Sequence, residues 1–185
     1  MTSAGLSPAE TSAGLSPAET PAGLSAADVE AVTRQLGRTP RGAVAVAHRC
    51  RCGEPTVVTT APQLPDGTPF PTTFYATCPR LTGAISTLES TGLMRAMTER
   101  LATDPDLAAA YRRAHEDYLQ RRSALGAVPA IEGTSAGGMP ERVKCLHVLV
   151  AHALAAGPGV NPLGDEALAA VGTWWDPVSC ADRRA

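Results

Sequence analysis

The pattern of this chain changes from strand to helix at Cys78-Pro79, and that change constrains the fold more than anything else in it. Before it, residues 43–50 and 56–61 are rich in Val and Thr, and 72–78 (TTFYATC) adds aromatics, which is the composition of β-strands. The Pro and Asp-Gly signals of PQLPDGTPFP, between the second and third runs, predict a wide, rigid turn. After it the signals are helical. Helices are expected near 79–91, 93–103, 105–125 (Asp104 capping, Pro105 at N1), 140–156 (Pro140 at N1, Gly157 at the stop) and 165–171. Strands followed by helices predict an α+β fold: a small antiparallel sheet of about three strands, covered by four to five helices.

The 185 residues amount to one domain, and 44% apolar residues are enough for a core. Residues 2–10 read TSAGLSPAE, 11–19 repeat it, and 20–28 (TPAGLSAAD) are a degraded third copy. A nine-residue period of Ser, Ala, Gly and Pro has no apolar stripe to bury, so residues 1–24 are read as a disordered tail. A single domain is expected over 25–175, opening on a helix capped by Ser25 and stopped by Gly37, with 176–185 as a flexible tail.

Net charge is −2, which gives no electrostatic case for nucleic acid. Lys144 is the only lysine among sixteen basic residues, so the arginines are read as a coding bias and not as a recognition surface. No stretch approaches the roughly 18 apolar residues of a membrane span, and no export signal is seen. Five cysteines without such a signal point to a reducing compartment, the cytoplasm, and to thiols or metal ligands instead of disulfides.

Side chains alternate along a strand. Val44, Val46, His48, Cys50 and Cys52 would therefore share one face of the first strand, and Phe74, Ala76 and Cys78 one face of the third. Both sets are expected on the core side, which would let Cys50 and Cys78 approach each other. On the helix expected at 140–156, Val143, Leu146, Leu149, Val150, Ala153 and Leu154 form the core stripe. Cys145 and His152 would fall within about 20° of each other, and His147 roughly 160° away from Cys145. A regular helix could not aim Cys145 and His147 at one metal.

Three readings of the cysteines are open. One is a metal or iron–sulfur centre on Cys50, Cys78 and Cys145, with Cys52 as a fourth ligand. The second is a Cys78 nucleophile at a helix N-terminus, assisted by Arg80. The third is that these are buried small hydrophobes. Cys180, in the tail after Trp174-Trp175, is read as a bystander. Residues 133–140 (GTSAGGMP) lead into the expected helix with Arg142 and Lys144. Ser135, Gly137, Gly138, Met139 and those two cations would make an anion-binding loop at the positive end of its dipole, although the P-loop spacing is absent. Tyr111, His115 and Tyr118 fit a packed helix face, and Asn161–Glu166 a turn and cap.

The strings RCRCGEPTVV (49–58), LPDGTPFPTTFYATCPRL (64–81) and SAGGMPERVKCLHVLVAHALAAGPGVNPLGDEAL (135–168) resemble the bacterial domain-of-unknown-function family 501 over nearly all of residues 30–172. That family has no established activity, so the resemblance implies a fold-sized unit and not a reaction. Its pattern carries one cysteine in each string, at positions matching Cys50, Cys78 and Cys145, and Cys52 departs from it. Three thiolates would leave a coordination position open on zinc or on a cluster iron. The preferred expectation is a metal- or cluster-binding protein, acting on a small anionic substrate if it is an enzyme, with His147 or His152 as proton donor or ligand-orienting group. The alternative is a non-enzymatic binding module for a phosphorylated metabolite or a protein partner.

Overall fold

A computed structural model describes residues 23–175. Most of the repeat, together with Cys180, lies outside the described residues. Helix α1 (Ala26–Leu36) opens on a capping box in which Ser25 and Asp28 exchange side-chain-to-backbone bonds, and it closes on Gly37 in the left-handed region, φ 68°. Asp28 also accepts two bonds from Arg49, at 2.7 and 2.9 Å. The end of α1 is tied to the sheet by Arg34 on Glu54 (2.8 Å) and by Gln35 Nε2 donating to Pro55 O (2.9 Å).

Strands β1 (Ala43–Arg49), β2 (Pro55–Thr60) and β3 (Phe74–Ala76) form an antiparallel sheet in the order β1-β2-β3, so β3 is an edge. The β2–β3 register is regular, and Phe74, Ala76 and Cys78 are buried as the alternation predicts. The alternation fails on β1. Register irregularities between Ala43 and Ala45, between Val46 and His48, and between His48 and Arg49 shift the side-chain parity. As a result Val44 is exposed (39%) and Ala47, expected on the outer face, packs against the core.

Five α-helices follow: α2 (Pro79–Glu89), α3 (Leu93–Thr103), α4 (Pro105–Ser123), α5 (Leu146–Ala156) and α6 (Pro162–Val171), with a 3-10 turn at Pro129–Ile131. Asp104 caps α4 through Leu107 N, and Asn161 caps α6 through Gly164 N, both at 2.9 Å. Helix α6 thus begins three residues before the expected 165. Apolar on nearly every side, α5 is the central helix, packed on the sheet, α2 and α6. Its approach to α6 is so close that a Cβ on Gly164 would lie 2.3 Å from Leu149 O.

The helix expected from Pro140 starts only at Leu146. Residues 140–145 spend their backbone groups elsewhere. Arg142 N and Lys144 N donate back to Gly138 O and Gly137 O, Val143 N donates to Thr98 Oγ1, and Tyr111 OH donates to Arg142 O. Among the described residues no helix is long and apolar enough to cross a membrane.

A candidate thiol, imidazole and carboxylate site

The late start of α5 reverses the geometry expected for its cysteine. Cys145 is the N-cap residue, in extended conformation (φ −154°, ψ 115°), and His147 lies in the first turn. The helical angle of roughly 160° between them therefore does not apply. Their side chains meet, and a carboxylate joins them from the last residue of α2. The ligand atoms of Glu89, Cys145 and His147 all lie within 4.8 Å of one another, and among the described residues no other metal-competent group of three His, Cys, Asp or Glu side chains forms.

Glu89 serves two groups through one oxygen. Its Oε1 accepts from Leu146 N at 2.7 Å, capping the helix that Cys145 leaves without a side-chain cap, and lies 3.2 Å from His147 Nδ1. The other ring nitrogen, Nε2, is 3.2 Å from Thr82 O and 3.5 Å from Ser86 Oγ. A carbonyl can only accept, so Nε2 carries a proton. The bond to Cys145, then the charge of Glu89, raise the His147 pKa to about 9 against the opposing effect of burial.

Cys145 and His147 open onto a cavity of about 530 Å³. Its walls come from the end of α1 (Gln35, Leu36), the residues of and around β3, the start of α2, and the start of α5. Gln35 lines it too, its Nε2 donating to Pro55 O and its Oε1 buried and without a hydrogen-bond partner.

The other expected site residues are distributed as follows. Cys50 is buried just past β1, donating from its N–H to Glu54 O, and Cys78 is fully buried at the N-cap of α2. The pairings Arg49↔Pro55 and Thr77 N to Thr56 O put both at the same end of the sheet, one on each side of the start of β2. Neither belongs to the group around Cys145. Cys52 is half-buried in the turn after β1.

His152 stands apart from Cys145. Fully buried, it lies 2.8 Å from Asp117 Oδ1 through Nε2 and 3.3 Å from Asn161 Nδ2 through Nδ1, stacked on Phe74 with Tyr118 edge-on. The 20° separation expected of it required Cys145 to be on the helix.

The loop 133–140 opens no helix, which removes the dipole from the anion-site argument. Gly137 and Gly138 make the loop compact: a Cβ on the first would press on Val148 and Leu149, and on the second on Arg142 O. Ser135 Oγ lies 3.0 Å from His115 Nδ1 and donates to Met139 O, and Arg142 and Lys144 are exposed.

Glu89 was not singled out by the sequence reading. No local motif links it to Cys145, fifty-six residues on. The available signal was electrostatic: a carboxylate on the last residue of a helix sits against the negative end of its dipole, and something else must hold it there.

Fold and site together define a class: an α+β protein whose thiol and imidazole line a cavity beside a sheet edge, with a carboxylate behind them. The family described as protein of unknown function (DUF501) matches residues 46–169, and the chain belongs to it. No curated protein and no solved structure matches the chain.

Proposed function

We propose that this protein binds a divalent transition metal, zinc by its donor set, through Cys145, His147 and Glu89, and that the ion's remaining position faces the cavity. The carrying observation is the convergence of three different donors within 4.8 Å in a fold that brings them from distant segments. The 3.2 Å between His147 Nδ1 and Glu89 Oε1 suits one edge of a tetrahedron whose ligands lie about 2.1 Å from zinc, roughly 3.4 Å apart. Thr82 O holds the Nε2 proton and leaves Nδ1 for the ion, the usual orienting partner of a ligating histidine. One thiolate among three mixed donors fits zinc better than an iron–sulfur cluster, which is held by cysteines. Three protein ligands with an open position make a Lewis-acid centre able to polarise a carbonyl or activate water. His147 is then a ligand. The thiol must stay reduced to bind, which supports a cytoplasmic setting.

The test is cobalt(II) substitution followed by zinc competition. Wild type should give the thiolate-to-cobalt charge-transfer band, and Cys145→Ser, His147→Ala and Glu89→Gln should each lose at least about tenfold in affinity. Zinc bound no more tightly by wild type than by the Cys145→Ser, His147→Ala double variant overturns the proposal. Loss of metal in Cys50→Ser and Cys78→Ser with none in Glu89→Gln would move the centre to the three cysteines.

A further inference from the structure

We infer that the cavity binds an extended, uncharged peptide segment as a fourth strand on the open edge of β3. This names the ligand class of the site just proposed; it rests on that reading for the chemistry done to the ligand, and not for the binding.

Thr60 N donates to Thr73 O (2.8 Å) and Thr77 N to Thr56 O (2.9 Å). In a regular antiparallel register these bonds make 56/77, 58/75 and 60/73 the hydrogen-bonded pairs, so Phe74 and Ala76 turn their backbone groups away from β2. Next to the Phe74 N–H, the Tyr118 hydroxyl accepts from Thr73 N at 2.6 Å and donates to Pro71 O at 3.3 Å. Phe74 C=O, Ala76 N–H and Ala76 C=O remain directed along the edge.

The cavity lies there. Phe74, Tyr75, Ala76 and Thr77 all line it in succession. Successive strand residues face opposite sides of a sheet, so a space touching four in a row runs along the strand's edge and not over one face. Tyr118 plugs one end of that edge, and Cys145 and His147 stand across from the rest.

Such an edge is a template for main-chain pairing, which supplies affinity with little regard to side chains. A peptide residue opposite Ala76 can accept its N–H and donate to Phe74 O or Ala76 O. At about 3.3 Å per residue, a five-residue segment spans Thr73–Thr77. The lining contains no Arg, Lys, Asp or Glu, and the charge of His147 is answered by Glu89 behind it, so the neutral main chain of a peptide suits the cavity. Pairing also lays a peptide carbonyl beside the Cys145 and His147 side chains.

The probe is a blocked pentapeptide, acetyl-Ala-Val-Ala-Val-Ala-amide, with singly N-methylated versions, titrated into the full chain by NMR. Shifts should concentrate on Phe74–Thr77, and the Ala76 amide should gain protection from exchange. N-methylation should cost about tenfold at alternate residues, the worth of one lost hydrogen bond, and little at their neighbours. Ala76→Pro, which removes an edge N–H that the β2 ladder does not use, should abolish binding with zinc affinity kept. No binding to a folded wild type, or N-methyl effects without alternation, overturns the inference. So does a dimer with Ala76 already protected without peptide, for the occupant is then a second copy of the chain. Zinc binding without peptide binding removes this inference alone; peptide binding without zinc removes only the metal reading.

Discussion

His152 shows what one buried polar residue does in this core. Its Nε2–H donates to Asp117, its Nδ1 accepts from Asn161, and Asn161 Oδ1 in turn caps α6 through Gly164 N. Both ring nitrogens are used by a neutral imidazole. His152→Ala would leave these partners unmet and open a cavity, so a loss of roughly 3–5 kcal/mol in denaturant unfolding is expected. Burial holds the folded pKa of His152 below its ordinary value. Its contribution is thus present above an unfolded pKa of about 6.5 and lost as pH falls from there through the lower folded value. His48 and His115, lowered by the same cause, act in the same window. His147, raised to about 9, acts with the opposite sign in this window, so the readout is the difference between proteins: going from pH 7.5 to 5.5 should be more destabilising for wild type than for His152→Gln, and an equal change in both would count against the network.

At the scale of elements, α5 carries the most. Leu149→Ala, at a fully buried position between the sheet and α6, should cost about 2–5 kcal/mol. Gly164→Ala should cost roughly 1–3 kcal/mol or more, because the added methyl meets the backbone of Leu149 and not a side chain that can turn away. Glu89→Ala should unfold at lower denaturant than Glu89→Gln by about 1 kcal/mol, since glutamine keeps an acceptor for Leu146 N. The sequence showed the type of each of these elements and most of their caps: Ser25, Asp104 and Gly37 act as expected. It did not show where α5 begins, because Pro140 is a good first residue of a helix and nothing local opposes it. The competing partners are Thr98 and Tyr111, on two other helices, and their hydrogen bonds to residues 142–143 are visible only once the chain is folded. That one displaced boundary hid the site, since Cys145 and His147 converge only when the first lies outside the helix. The parity of β1 failed for a similar reason: bulges are set by pairing with β2 and leave no trace in a run of alternating Ala and Val.

At the scale of the whole molecule, the pair Asp28–Arg49 fastens the first helix to the first strand. The Arg49 hydrogen bonds hold the Asp28 pKa at about 2. The stabilisation is therefore present above about pH 4 and lost as pH falls through 2, and Asp28→Asn should speed hydrogen exchange in α1 at neutral pH while leaving that of α5 unchanged.

The cavity is built from two stretches of chain with different standing. Glu89, Cys145, His147 and the edge of β3 lie inside the segment that defines the family, whereas Gln35 and Leu36 come from the helix before it. The metal-competent group and one wall of its cavity are thereby separable. A different opening helix, clamped by another salt bridge, would reshape the cavity wall without disturbing Glu89, Cys145 and His147. Exchanging α1 between relatives would change that wall alone.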